Sequence, residues 1–473
     1  MEYVYVAGPG RPGIHKEQAM NANGTRTSLD RREFLRSAAG VGAALAFGPA
    51  AFAGPHAADA RETINVALIG AGEQGKTLME AARRIPGVRF QAVCDIWPYN
   101  RKWVSGRLRA YRHGYNAYEN YREMLEKEKG LHAVIVATPD CWHAEHTIAC
   151  LSAGLHVYCE KEMSNTLDGA RRMVEAARKT GKLLQIGHQR RSNPNYIFCR
   201  EKLLNEAKLL GQITAVNGQW NRSVQEPIGC PKKAQLDEAT LRKYGYESME
   251  QLRNWRWYRR LGGGPIVDLG SHQIDIYNWF LGARPKSVLA SGRTNYYDKQ
   301  THEWYDTVMA VYEYDTPQGP VSACYQTIST NSGQGYFEMF MGHEGTLLIS
   351  EKASRCRIYR ESWVDERQWD PWTRKGYLGE AVEPEQKPKV SSTAVMDARD
   401  SVPPPAYRLP LVAQGDKPIH QPHLENFFDA IRGKATLNCP AEVGYDTAVT
   451  VLKVNEAAEA GRKLDFETEE FAA

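Results

Sequence analysis

Residues 63–85, TINVALIGAGEQGKTLMEAARRI, constrain this chain more than any other stretch. Ile64 to Ile69 is, but for Asn65, an apolar run of β-type residues, as expected of a strand covered on both faces. Gly70, Ala71, Gly72, Glu73, Gln74 and Gly75 follow at once, and residues 77–85 read as a helix. Between a strand and a helix, such glycines permit a tight turn and close backbone approach. The helix N-terminus then offers N–H donors and positive potential to a pyrophosphate. The next predicted strand, RFQAVCD, ends in Asp95, twenty positions after Gly75. A carboxylate at that spacing meets the ribose hydroxyls of a dinucleotide and repels a 2′-phosphate. NAD is therefore expected ahead of NADP, with Arg101 and Lys102 as the basic groups that argue the other way.

Two further strand–helix units, HAVIVATPDCWHAEHTIACLSAG and HVYCEKEMSNTLDGARRMVEAARKTG, continue the pattern, and KLLQIGHQRRSNPN supplies another strand. Ligands of open α/β sheets collect beyond the carboxyl ends of the strands. Thr138, Pro139, His143, Glu160, Lys161 and Gln189 are accordingly expected to converge on the nicotinamide half of the dinucleotide. The fold class predicted is α/β, with a doubly wound, Rossmann-type dinucleotide-binding domain over 63–194. Over 195–473 strands follow one another without helices between them, from QITAVNGQWN to RCRIYRE. They predict a substrate-binding α+β domain with an open, mainly antiparallel sheet, closed by the helices HLENFFDAIRG and GYDTAVTVLKVNEAAEAGRK. At 473 residues the chain has length for two cores. Residues 363–422 are rich in Pro, Lys and Glu and read as a surface arm, placed to clasp a second copy in a homo-oligomer.

The segment NWRWYRRLGGGPIVDLGSHQIDIYNWFLG carries the candidate chemistry. Gly262, Gly263 and Gly264 before Pro265 make a loop and a helix start. Asp268 and His272 are then four apart on one helical face. A carboxylate beside an imidazole can orient it as general base for a sugar hydroxyl. Trp255, Trp257 and Tyr258 just upstream, and Arg190, are candidate sugar contacts. The net charge of +4, with no basic run, excludes a dedicated nucleic-acid binder. Nine cysteines include no C-x-x-C pair and no zinc spacing, so neither a metal site nor a disulfide framework is predicted. No run approaches the ~18 apolar residues that a membrane span needs.

With the motifs GAGEQG, ATPDCWHAEHT, AGLHVYCEKE and GGGPIVDLGSHQIDIYNWFLG in place, the chain resembles the glucose–fructose oxidoreductase/inositol dehydrogenase (Gfo/Idh/MocA) family over essentially all of 63–460. The resemblance implies an NAD(P)-dependent oxidoreductase of a sugar, sugar derivative or glycoside. It implies that Lys161 is the active-site lysine of the family's E-K-P motif, and that Asp268 and His272 are the catalytic carboxylate and histidine. Glu162 departs from the pattern by replacing the proline, where the family often has a cis peptide. A carboxylate there is expected to hold Lys161 protonated. Two other readings stay open: NAD-assisted glycoside cleavage by oxidation, elimination and re-reduction, as in related α-N-acetylgalactosaminidases, and a non-catalytic dinucleotide- and sugar-binding protein.

Residues 1–53 read as an N-terminal extension and export signal, and 54–62 as a linker. Arg31-Arg32 precede Phe34-Leu35, a weakly apolar stretch and Ala51-Phe52-Ala53, which resembles a twin-arginine signal with an A-x-A cleavage site. A start at Met20 in place of Met1 would give a signal of more usual length. Export by the twin-arginine machinery to the periplasm is expected. There, without an NAD pool, the cofactor would have to be held tightly.

Overall fold

The computed structural model describes residues 63–382, 404–411 and 417–473. The export signal, its cleavage site and the linker lie outside these, as does the middle of the 363–422 segment. Six strands form an all-parallel sheet: β1 (Ile64–Ile69), β2 (Val88–Cys94), β3 (Asn116–Tyr118), β4 (Ala133–Val136), β5 (His156–Cys159) and β6 (Leu184–Ile186). Their order is β3-β2-β1-β4-β5-β6. Helices α1 (Glu73–Ala82), α2 (Pro98–Ala110), α3 (Tyr121–Lys127), α4 (Asp140–Ser152) and α5 (Leu167–Thr180) connect them. β4 is buried at every position, which explains its unbroken AVIV. α5 shows how local the signals are: the Thr166 hydroxyl accepts from Gly169 N, and left-handed Gly181 ends the helix. Strand order reverses between β1 and β4, so the loops after β1, β4, β5 and β6 share the edge where ligands bind in such folds.

The second sheet has ten strands: β7 (Ile213–Asn221), β8 (Pro285–Arg293), β9 (Thr307–Thr316), β10 (Gly319–Ile328), β11 (Tyr336–Gly342), β12 (Gly345–Ile349), β13 (Arg357–Arg360), β14 (Ala381–Val382), β15 (Ala406–Arg408) and β16 (Leu464–Asp465). Among the described residues only β7 and β10 of this sheet pair in parallel, so it is mainly antiparallel, as expected. β9 alternates strictly: Val308, Ala310, Tyr312 and Tyr314 face the core while Met309 and Val311 are exposed. A long helix, α6 (Gly264–Leu281), packs along the core side of β10 and β7, with Gly270 against the Tyr325 ring.

Two differences from the sequence reading concern packing. Helices α7 (Gln421–Ile431) and α8 (Ala441–Ala460) return to the first sheet. Leu424, Phe427 and Phe428 are fully buried in one core with Ile64, Val66 and Leu68 of β1. Gln185 of β6 donates its side-chain amide to the His423 carbonyl (2.7 Å), and Ile186 N donates to Cys439 O (3.0 Å). A boundary at 194/195 therefore divides elements that share a core, because the apolar stripe of α7 has its partner surface on β1. The described part of 363–422 is likewise no free arm. Trp369, Leu378 and Tyr407 are buried in the core of the second sheet, and β14 and β15 extend that sheet beyond β13.

Truncating Phe427 to Ala should therefore weaken the dinucleotide-binding half, at a cost of about 3–5 kcal/mol typical of a buried aromatic. Urea unfolding followed by tryptophan emission measures it; a midpoint equal to the parent's would contradict the shared core.

Candidate active site

Every glycine of the first loop answers to a different constraint. A Cβ at Gly70, whose φ is +90°, would sit 2.5 Å from the Ala137 carbonyl oxygen, and one at Gly75 only 1.9 Å from Gly70 O. Around Gly72 nothing lies within 4 Å, and α1 begins there without a side-chain cap. Asp95 closes the loop from the end of β2: one carboxylate oxygen accepts from Ala71 N (2.7 Å), the other from Trp97 N (2.7 Å). Burial raises this carboxyl while those two bonds favour its charged form. Arg101 is engaged with the Asp95 carbonyl, and Lys102 is exposed. Glu73 pairs with Lys76 (2.9 Å), and Gln74 Nε2 lies 3.0 Å from His420 Nε2. Uncapped N–H groups, open space over Gly72 and a carboxylate one strand away form a cradle that fits a dinucleotide.

Beyond β4 and β5 the chain builds a second, denser array. His143 is buried with Nε2 2.7 Å from Thr138 O and Nδ1 2.7 Å from Glu162 O, bracing the Thr138–Pro139 loop against the loop after β5. The Lys161–Glu162 peptide is cis although no proline follows. Glu162 does not do what its position suggested. Its side chain is fully buried, accepts from Met163 N (2.7 Å) and forms no ion pair with Lys161; burial pushes its carboxyl up to about 8.

Lys161 is held by α6 instead. Its Nζ lies 3.4 Å from Asp268 Oδ1 and also donates to the Asp268 carbonyl. Arg256 Nε donates to the same carboxylate oxygen at 3.0 Å. Burial alone would raise the Asp268 carboxyl, but Arg256, Lys161 and Arg222 outweigh it and hold it well below the usual range. His272 lies one turn further along α6, its ring 5.4 Å from that of Trp220, and its buried Nδ1 has no hydrogen-bond partner. Burial, with the charges of Lys161 and Arg190, pushes its imidazole well below the ordinary histidine range. The sequence placed Asp268 to orient His272; no hydrogen bond joins them. Four-residue spacing does set both on one face, but two cations from elsewhere claim the carboxylate.

The proposed sugar contacts also sort differently. Trp255 packs so closely on Gly262 that a Cβ there would lie 2.9 Å from its ring. Tyr258 lies against the same small cluster of Leu241, Tyr246 and Leu261, and Trp257 packs on Tyr297 and His302. Arg256, between the tryptophans, is what this segment sends to Asp268. Arg190 is buried, and its guanidinium is taken up by Glu338 and Glu351 (3.0 Å to the latter), leaving no free charge for a substrate. Gln189 Nε2 reaches Glu351 at 3.4 Å while its Oε1 is buried and unpartnered. Glu160 is buried and accepts from the Tyr158 hydroxyl (3.3 Å).

Two further residues belong to the array and were passed over in the sequence: Arg222 and Asp140. Asp140 opens α4, and burial pushes its carboxyl up to about 7 against the pull of Lys161 and Arg256. Its place inside ATPDCWHAEHT, beside residues that were singled out, was a usable signal. Arg222, just past the end of β7, had none.

Comparison with known proteins places these features in context. Residues 64–188 match the model of an oxidoreductase family with an NAD-binding Rossmann fold, GFO_IDH_MocA, and residues 202–348 match the GFO/IDH/MocA C-terminal domain. Inositol 2-dehydrogenase of Rubrobacter xylanophilus is 24% identical over 328 residues, 68% of this chain and 81% of that protein. Inositol 2-dehydrogenase of Salmonella paratyphi B is 31% identical over 233 residues, 48% of this chain and 57% of that protein. The match thus spans little more than half of the second relative. The fold is similar to that of levoglucosan dehydrogenase in complex with NADH, with a TM-score of 0.63 at 17% identity over 86% of this chain and 99% of the other.

Asp95→Ala should weaken NADH binding about 10–100-fold, the usual loss for a hydrogen bond to a charged group. It should also narrow the preference over NADPH. Fluorescence titration reads both; equal affinities of the unaltered protein for the two dinucleotides would refute the carboxylate argument.

Proposed function

Since the chain belongs to the GFO/IDH/MocA oxidoreductase family, we propose that it moves a hydride between a sugar or polyol carbon and NAD seated on the glycine loop. The observation that carries this reading is the pairing of Lys161 with Asp268 one helical turn from an unpartnered, uncharged His272. When bound, the dinucleotide supplies the hydride acceptor or donor. The protein's own part is the proton. A ring nitrogen of neutral His272 takes it from the reacting hydroxyl, and the Lys161 ammonium stabilises the oxygen as charge develops. Asp268 positions Lys161 through two acceptors, its carboxylate and its carbonyl, so it acts on the reaction through the lysine. Asp95 and the uncapped start of α1 support NAD over NADP.

A panel of sugars, polyols and glycosides given to the NAD-loaded protein, with absorbance at 340 nm and product analysis, tests this and separates net oxidation from glycoside cleavage. Lys161→Ala and His272→Ala should each lose ~10²–10⁴-fold in kcat/KM while retaining NAD. Asp268→Asn should lose less than Lys161→Ala, because the backbone carbonyl and an amide oxygen still accept from the lysine. A base whose folded pKa is depressed stays deprotonated below the unfolded value, so activity should persist below pH 6.5 without a limb there. Full activity of His272→Ala would send the proton elsewhere.

We also propose export by the twin-arginine route, supported by Arg31-Arg32, the weakly apolar stretch and Ala51-Phe52-Ala53. Arg31→Lys with Arg32→Lys should leave the uncleaved precursor in the cytoplasm, read by fractionation; normal export of that variant would remove the assignment. Face-to-face pairing of two copies is supported by the exposed Leu289, Met309 and Val311 of the second sheet.

A further inference from the structure

The cations Lys161, Arg256, Arg190 and Arg191 near Asp268 and His272 each have a carboxylate: Lys161 and Arg256 on Asp268, Arg190 on Glu338 and Glu351, and Arg191 on Asp275. Arg222 is the exception. Its backbone N donates to Ile328 O (2.7 Å), fixing it where β7 and β10 end side by side. Its half-buried guanidinium lies 5.1 Å from the centre of the Trp220 ring, and makes no hydrogen bond or ion pair with the described residues. Trp220 in turn lies against His272 (5.4 Å) and stacks on Tyr336 (4.7 Å), so the Trp220 ring links Arg222 to His272. The charges that act on it are Asp268, already claimed by two other cations, and Arg256, which repels it.

A partly desolvated arginine without an acceptor is costly, and stacking on one indole returns only part of that cost. An anion delivered by the ligand would return the rest. The planar fork of a guanidinium suits carboxylate and sulfate oxygens, which it can meet with two parallel N–H donors. Resting on the oxidoreductase reading above, we propose that the sugar acted on carries an anionic substituent, a carboxylate or a sulfate, which Arg222 grips beside His272.

Calorimetric titration of the NAD-loaded protein with matched pairs tests this: glucuronate against glucose, galacturonate against galactose, and glucose 6-sulfate against glucose. The acidic member should bind at least about tenfold more tightly. The carboxylate and sulfate arms show which anion is preferred. In Arg222→Gln the ratio of acidic to neutral affinity should collapse towards one, and Arg222→Lys should restore part of it. Circular dichroism and NAD content confirm that the variants are folded. No acidic preference in any pair, or an unchanged ratio in Arg222→Gln, would overturn the assignment. Parallel assays at 340 nm keep the two readings apart. Acid-selective, Arg222-dependent binding without NAD reduction by any sugar would fault the oxidoreductase reading alone. Turnover confined to neutral sugars would fault the anion assignment alone.

Discussion

Two carboxylates on α6, Asp268 and Asp275, carry the join between the two sheets. Seven residues apart, they lie two turns along one side of the helix. Each meets a cation from a loop of the first sheet: Lys161 after β5, at 3.4 Å, and Arg191 after β6, whose Nε lies 2.8 and 3.0 Å from the two oxygens of Asp275. The Thr447 hydroxyl of α8 donates to Asp275 as well (3.0 Å). Withdrawing such charges from water costs several kcal/mol apiece, and the cost is met only when partner and hydrogen bonds arrive together. Intermediate placements of α6 are therefore poor, and the helix docks fully or not at all. The same contact that docks it also fixes Lys161, so the join between the sheets and the placement of the lysine share one ion pair.

That shared pair explains the division between what the residues disclose in order and what they withhold. The glycine loop, Asp95 and the alternation of strands with helices are local, set by sterics and periodicity over a few residues, and all were legible. So were the strands of the second sheet, with their strict alternation. Partnerships across long separations were not. Asp268 and His272 look like a pair at four-residue spacing, yet the cations that take the carboxylate come from 107 residues away and from the preceding turn. Arg190 reads as a free cation until Glu338, 148 residues on, is folded against it. In Trp255-Arg256-Trp257 the aromatic residues attracted the functional reading. Successive side chains of a tight turn point apart, however, and the rings went into packing while the guanidinium reached the site.

The resulting site separates its electrostatic tasks. On one side Lys161, Arg256 and Arg222 surround a carboxylate held firmly ionised. On the other, His272 is kept uncharged by burial and by the charges of Lys161 and Arg190, with a buried ring nitrogen left without a partner. Neither state follows from residue type; the two are linked through Lys161, whose charge helps to hold Asp268 ionised and to keep the imidazole neutral. His143, bonded only to backbone carbonyls, contributes geometry by tying the β4 and β5 loops together beneath Lys161.

The return of α7 and α8 to the first sheet has a consequence during synthesis. The side chain of Gln185, in β6, awaits the carbonyl of a residue 238 positions further along. At ~5–20 residues per second, roughly ten seconds to most of a minute separate the two on the ribosome. Throughout that interval the face of β1 bearing Val66 and Leu68 lacks Phe427 and Phe428, and the edge at β6 lacks residues 439 and 440. The nascent chain thus presents an uncovered apolar sheet face and an open edge while nearly half of it is still being made. Those surfaces are covered only when residues 424–440 have emerged.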